Sequence, residues 1–135
     1  MNERERALLR QLGRTARTMY AAFEAEVGCA LPRWRILQTL YEQTHATQKE
    51  LVKHLAMDPG ALTRQMKMLE KEGLITRRND PEDNRLTTAV LTPAGRNAIA
   101  TKQPMRKAFS RKVLMGLPTD ECQHRLSTCV MDCMM

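Results

Sequence analysis

The sequence predicts a mainly α-helical chain interrupted once by a small β-hairpin. Three observations carry that prediction. Apolar residues recur at steps of three and four through most of the 135 residues, the spacing of one helix face. Cap residues paired with glutamate or followed by proline mark helix starts at Thr47, Asp58 and Thr92. One stretch, 74–92, changes to β-branched runs around a polar turn containing Pro81.

Residues 3–27 place Leu8, Leu12, Ala16, Met19, Phe23 and Val27 on one helical face, and Gly28 supplies the stop. In "LPRWRILQTLYEQ", Pro32 stands near a helix start and Ile36, Leu37 and Leu40 form an apolar face. Thr47 and Glu50 in "TQKE" fit a capping box that opens a short helix with Leu51, Val52 and Leu55 inside. Asp58-Pro59 reads as an N-cap with proline at the first helical position. Leu62, Met66 and Leu69 give that helix a buried face, and Gly73 ends it.

Only a few residues around "AMD" separate these two helices, so they meet at a tight corner. "LITRR" and "LTTAVLT", joined by "NDPEDN", read as a hairpin with a charged tip. Thr92-Pro93 opens another helix, which Pro104 is expected to kink or break and Gly116-Leu117-Pro118 to end. Residues 119–133 are expected to form a last short helix with Leu126 and Val130 apolar. The fold class is therefore mainly α with a small β-hairpin wing: a winged helix-turn-helix with flanking helices that have no partner within the chain.

Composition sets the class. Hydrophobic residues at 42% suit a single globular domain, and aromatics at 4% with ten methionines point to an aliphatic core. The formal charge is +7, which favours an anionic partner. Residues 47–85 nevertheless hold eight Lys/Arg against seven Asp/Glu, whereas 96–135 hold seven against three. Any contact with nucleic acid by the central segment must rest on placement. No stretch approaches the ~18 apolar residues of a membrane span. The charged start "MNERERALLR" lacks the apolar run of a signal peptide, and four cysteines without one suggest free thiols in a reducing cytoplasm.

A helix-turn-helix suits DNA because its second helix fits the major groove, about 12 Å wide, while the first braces it across the backbone. Outward positions on the second helix are Gly60, Ala61, Thr63, Arg64, Lys67 and Met68. Small residues at its start permit close approach. Arg64 is placed to reach a guanine edge with two bonds, and Thr63 and Lys67 suit phosphates. Thr47 and Gln48 at the start of the bracing helix offer donors to a phosphate. Arg77 and Arg78 close the first strand of the hairpin, and Asp83 and Arg85 stand two apart at its tip, where an arginine suits a narrow minor groove. The competing reading is a solvated helical corner used for protein contact. DNA binding insensitive to charge reversal at Arg64, Lys67 and Arg85 would favour it.

The run from "PRWRILQTL" through "TQKELVKHLAMDPGALTRQMKMLEKEGLITRRNDPEDNRLTTAVLTPAGR" resembles the multiple-antibiotic-resistance repressor (MarR) family. The matching features are "LT" at the recognition helix, "LEKEGLITR" at its end, the "D-N-R" of the wing and "LTPAG" after it. The resemblance covers roughly residues 32–96 by motif and the rest by helix order. It implies a homodimeric winged-helix transcription factor in the cytoplasm, usually a repressor, on a pseudopalindromic double-stranded DNA operator. It also implies a single domain over 1–135, with 32–96 reading DNA and 1–31 and 97–135 forming the dimer. The recognition helix would be 59–72, the wing arginine Arg85, with Asp83 orienting it. A two-fold dimer would then set half-sites about 34 Å apart. The sequence departs from the family pattern in a wing tip whose Asp80, Glu82 and Asp83 temper the charge of Arg85, and in a last helix running directly to Met135.

The resemblance further implies a small-molecule effector, often an aromatic acid, between the dimer helices and the winged helix. Candidate lining residues are Arg14, Arg17 and Tyr20 on the first helix and Trp34 on the second: an arginine to pair a carboxylate, a ring to stack. The competing role for Trp34 is core filling. Cys29, Cys122, Cys129 and Cys133 raise a thiol-based redox switch as an alternative, though relatives that sense peroxide use a cysteine within the first helix, where this chain has none. Cys122, His124, Cys129 and Cys133 do not converge as metal ligands, because His124 points about 200° round the helix from Cys122. His45 and His54 stand alone, in a loop and on the bracing helix. No nucleophile elbow, zinc-protease helix, phosphate loop or dinucleotide fingerprint is present, so neither catalysis nor a cofactor is expected.

Overall fold

The helix caps read from the sequence fix the order of elements in the computed structural model. It describes residues 1–83 and 85–116, together with 118, 120, 121 and 124. Helix α1 (Glu3–Val27) opens on a capping box in which Asn2 accepts the Glu5 N–H at 2.9 Å and Glu5 accepts the Asn2 N–H at 2.7 Å. It ends on Gly28 at φ 72°, the left-handed cap glycine adopts without strain. Helix α2 (Leu31–Gln43) follows with Pro32 in its first turn.

A three-residue strand, β1 (His45–Thr47), leads into α3 (Gln48–Leu55), and Thr47 and Glu50 form the expected capping box. Asp58 caps α4 (Pro59–Lys71), accepting the Ala61 N–H at 2.9 Å. The hairpin is β2 (Ile75–Asn79) and β3 (Thr87–Leu91), and Thr92 caps α5 (Pro93–Leu114).

Two elements differ from expectation. The sheet has three antiparallel strands in the order β1-β3-β2, with His45 opposite Val90, Ala46 opposite Ala89 and Thr47 opposite Thr88. His45 thus begins a strand and not a loop. Helix α5 also continues past Pro104 as one element instead of breaking there. Both halves are held independently. Before Pro104, Lys102 donates to the Val27 and Gly28 carbonyls and Gln103 donates to Gln38. After it, Phe109 packs edge-on to Phe23 at 5.3 Å and Lys112 pairs with Glu26. The expected helix over 119–133 lies almost wholly outside the described residues, as do Cys122, Cys129 and Cys133.

The core draws on every element. Ile36, Leu37 and Leu40 of α2 are buried with Leu51 and Leu55 of α3, Leu62, Met66 and Leu69 of α4, and Ile75, Ala89 and Ile99. Helix α1 behaves otherwise. Only Phe23 and Val27 of its predicted face are buried, whereas Leu8 and Leu12 remain 61% and 58% exposed. Its amphipathic pattern is genuine, but among the described residues nothing covers Leu8, Leu9 and Leu12. No helix among the described residues is long and apolar enough to cross a membrane.

Candidate nucleic-acid interface

Helix α4 presents Gly60, Arg64 and Met68 four residues apart, on one exposed stripe opposite the buried Leu62–Met66–Leu69 face. Arg64 and Lys67 carry no ion pair among the described residues, nor do Arg78 and Arg85 in the wing. A Cβ at Gly60 would come within 3.1 Å of Asp58 Oδ2, the carboxylate that caps the helix. Half-buried Ala61 continues the small-residue start of the helix.

Thr63 and Gln48 have a more specific role than two independent phosphate donors. The Thr63 hydroxyl donates to the Pro59 carbonyl at 2.9 Å and accepts from Gln48 Nε2 at 2.6 Å. That bond joins the start of the bracing helix to α4, so the two helices present one surface.

The wing places its two strand-end arginines differently, because successive side chains on a strand point to opposite faces. Arg78 is exposed. Arg77 turns to α4 and grips Glu70: its backbone N–H donates at 3.1 Å, its Nε at 3.2 Å and its Nη2 at 3.1 Å. The arrangement makes Arg77 a brace between the wing and α4. Arg33 of α2 holds the other side of the helix end with a two-pronged pair to Glu72, Nη1 reaching Oε1 at 2.7 Å and Nη2 reaching Oε2.

At the tip, the acids serve the turn. Asp80 accepts the N–H groups of Glu82 and Asp83 at 2.8 and 3.2 Å, and Asp83 accepts the backbone N–H of Arg85 at 3.0 Å. Asp83 therefore sets Arg85 through the main chain, not through its guanidinium. These bonds account for the near-balanced charge of 47–85. Glu50, Asp58, Asp80 and Asp83 are held at caps and turns, and Glu70 and Glu72 in ion pairs. Among the described residues, the cations of α4 and the wing tip are left without such partners. A cleft of about 410 Å³ lies where these parts meet, bordered by Thr47, Gln48, Lys49, Pro59, Arg85 and Thr87.

Sequence reasoning missed Glu70, Glu72 and Arg33 as parts of this surface. The seven-residue spacing from Glu70 to Arg77 across Gly73 was its only visible trace. The Arg77 guanidinium, hydrogen-bonded to Glu70, holds that carboxyl below its ordinary 4.5, and Arg33 does the same for Glu72. A carboxyl whose folded value is lowered contributes stability above its ordinary range and loses it as pH falls through the lowered value. Glu70→Gln is therefore expected to flatten the fall of stability as pH drops through and below the ordinary carboxylate range, in urea titrations. An acid limb identical to the parent's would count against the brace.

The four residues expected to line an effector site are not brought together. Trp34 is 4% exposed, edge-on to Phe23 at 6.0 Å in the core, while Arg14, Arg17 and Tyr20 lie exposed along α1. Trp34 does border a cleft of about 370 Å³ between the long helices and α3, with Phe23, Arg35, His54 and Arg106. His45 and His54 border another, of about 650 Å³, together with Glu50. No three metal-ligating groups converge among the described residues.

Residues 30–87 match the MarR family. An HTH-type transcriptional regulator of Bacillus subtilis (strain 168), YdgJ, itself uncharacterized, is 33% identical over 87% of this chain and 71% of its own length. The chain belongs to the MarR family. Its fold is that of the family's solved members. A mutant of MarR from E. coli, complexed with operator DNA, matches with a TM-score of 0.81 at 20% identity, over 96% of this chain and 94% of that one. BpsR of Bordetella bronchiseptica, whose DNA binding is regulated by 6-hydroxynicotinic acid, matches with a TM-score of 0.78 at 21% identity, over 93% and 98%. This MarR-family chain is a DNA-binding transcriptional regulator and not an enzyme.

Proposed function

We propose that this MarR-family regulator acts as a homodimeric repressor, released from a pseudopalindromic operator by a small aromatic carboxylate. The observation that carries the reading is the bare apolar face of α1, Leu8, Leu9 and Leu12, together with Val113 and Leu114 at the end of α5. Exposed leucines in sequence-adjacent turns are costly in water, and a second copy of the same helices buries both sets at once. Residues 1–31 and 97–135 then form the dimer, and 32–96 read the DNA. In this arrangement Gly60, Ala61 and Arg64 approach base edges. Lys67, Thr47 and Arg78 face phosphates, Gln48 and Thr63 lock the two helices into that surface, and Arg85 enters the minor groove.

The effector fits the cleft beside Trp34 better than the exposed face of α1. Phe23 and Trp34 supply an apolar wall, and Arg35 is engaged by the Leu55 carbonyl at 2.8 Å. Arg106 has no ion pair among the described residues and is the cation left for a carboxylate. Occupancy there would spread α5 from α2 and α3 and so shift the recognition helices. Arg106→Ala is expected to keep operator affinity and to raise the concentration of aromatic acid needed for release about tenfold or more. Competition binding with salicylate- and nicotinate-type acids measures this, and unchanged release would remove Arg106 from the site.

A thiol switch at Cys29 is less favoured. Burial pushes the Cys29 thiol above its ordinary value, more than the nearby Arg33 and Lys102 lower it, and its Sγ donates to the Ala30 carbonyl. A thiol kept protonated reacts slowly with peroxide.

A further inference from the structure

The exposed large apolar side chains fall almost entirely on α1 and α5, where a second copy would cover them. Met1 and Met115 adjoin the ends of those helices, and Tyr41 and Met68 stand apart. Tyr41 is covered by the Arg96 guanidinium, 5.4 Å above its ring. Met68 has no such account. It is 49% exposed, on the outward stripe of the recognition helix, one turn beyond Arg64.

A helix face that meets only water or phosphate gains nothing from a thioether there. A face that enters the major groove meets one apolar group, the thymine 5-methyl. Methionine suits it, since its unbranched, polarizable chain adapts to an irregular apolar surface. The flanking charges also fit: Arg64 and Lys67, both without ion pairs among the described residues, bracket Met68 on the side nearer the helix start.

We infer that Met68 is a specificity-determining residue, packing its side chain on a thymine methyl in each operator half-site. The inference rests on α4 being the helix that reads the operator, and it adds what that helix reads. Four residues of helix rise about 6 Å, so the thymine lies about two base pairs from the base pair that Arg64 contacts. A half-site therefore carries a guanine and a thymine at that fixed spacing.

The test uses the operator that the full-length chain selects from random DNA, with each thymine replaced in turn by uracil, which removes only the methyl group. One position per half-site is expected to weaken binding by the parent about fourfold, the worth of one buried methyl-sized group. Met68→Ala is expected to bind the thymine and uracil operators equally. Met68 is exposed and alanine is the better helix former, so the variant keeps its fold, which its unfolding midpoint checks. A selected operator whose uracil versions all bind like the parent sequence overturns the methyl contact and leaves DNA reading intact. So does a Met68→Ala variant that still discriminates thymine from uracil. If no sequence is selected at all, DNA reading by α4 fails, and the contact fails with it.

Discussion

Gly95→Ala is expected to destabilise the fold by about 3 kcal/mol or more, lowering the melting temperature by about 10 °C or more. Gly95 sits in the first turn of α5, its N–H donating to the Thr92 hydroxyl at 3.0 Å. That hydroxyl donates in turn to the Gly73 carbonyl, and the Thr92 N–H donates to the Leu74 carbonyl at 3.0 Å. The start of α5 is thereby pressed onto the chain as it leaves the recognition helix. A Cβ on Gly95 would stand 1.9 Å from the Leu74 carbonyl oxygen and 2.9 Å from its carbon. No backbone atom can give way by that much without breaking these bonds. Because Leu74 joins α4 to the wing, the surviving folded fraction should also bind DNA more weakly. Thermal unfolding of the purified variant measures the first effect, and a melting temperature within a degree or two of the parent's would show that α5 can shift freely.

Arg64→Ala is expected to cost about 1–3 kcal/mol of operator affinity and to relax selection at one base pair. Its guanidinium has no ion pair among the described residues to hold it elsewhere, and it lies on the exposed stripe with Gly60 one turn before it. A bidentate arginine–guanine contact discriminates among bases, whereas a phosphate contact does not. The two roles separate in a comparison of cognate and random DNA. Loss on the cognate operator alone fits base reading. Equal loss on both would reassign Arg64 to the backbone.

The recognition surface was legible in the sequence where its signals are local. The Thr47–Glu50 box, Asp58-Pro59 and Thr92-Pro93 each specify a helix start through residues at most three apart, and all three are present. What depends on distant partners was not legible. Strand β1 is three residues long, too short for alternation to register, and exists only because β3 pairs with it. Arg77 looks like any exposed cation until the fold brings Glu70 beside it. Trp34 carries the same side chain whether it fills core or faces a ligand, and contact with Phe23 puts most of it in the core. Leu8 and Leu12 illustrate the reverse case. Their spacing announces an apolar face correctly but says nothing of what covers it.

In the proposed complex, the basic stripe of α4 and the wing tip read one palindromic site as a symmetric pair. Selection of genomic fragments by the purified chain at about 150 mM salt, followed by affinities across a salt series, tests it most directly. Enrichment of one inverted repeat with half-sites about one helical turn apart, bound by two copies of the chain, is expected. Weak binding to all fragments, falling steeply with salt, would contradict it and leave only the attraction of a chain with formal charge +7 for DNA.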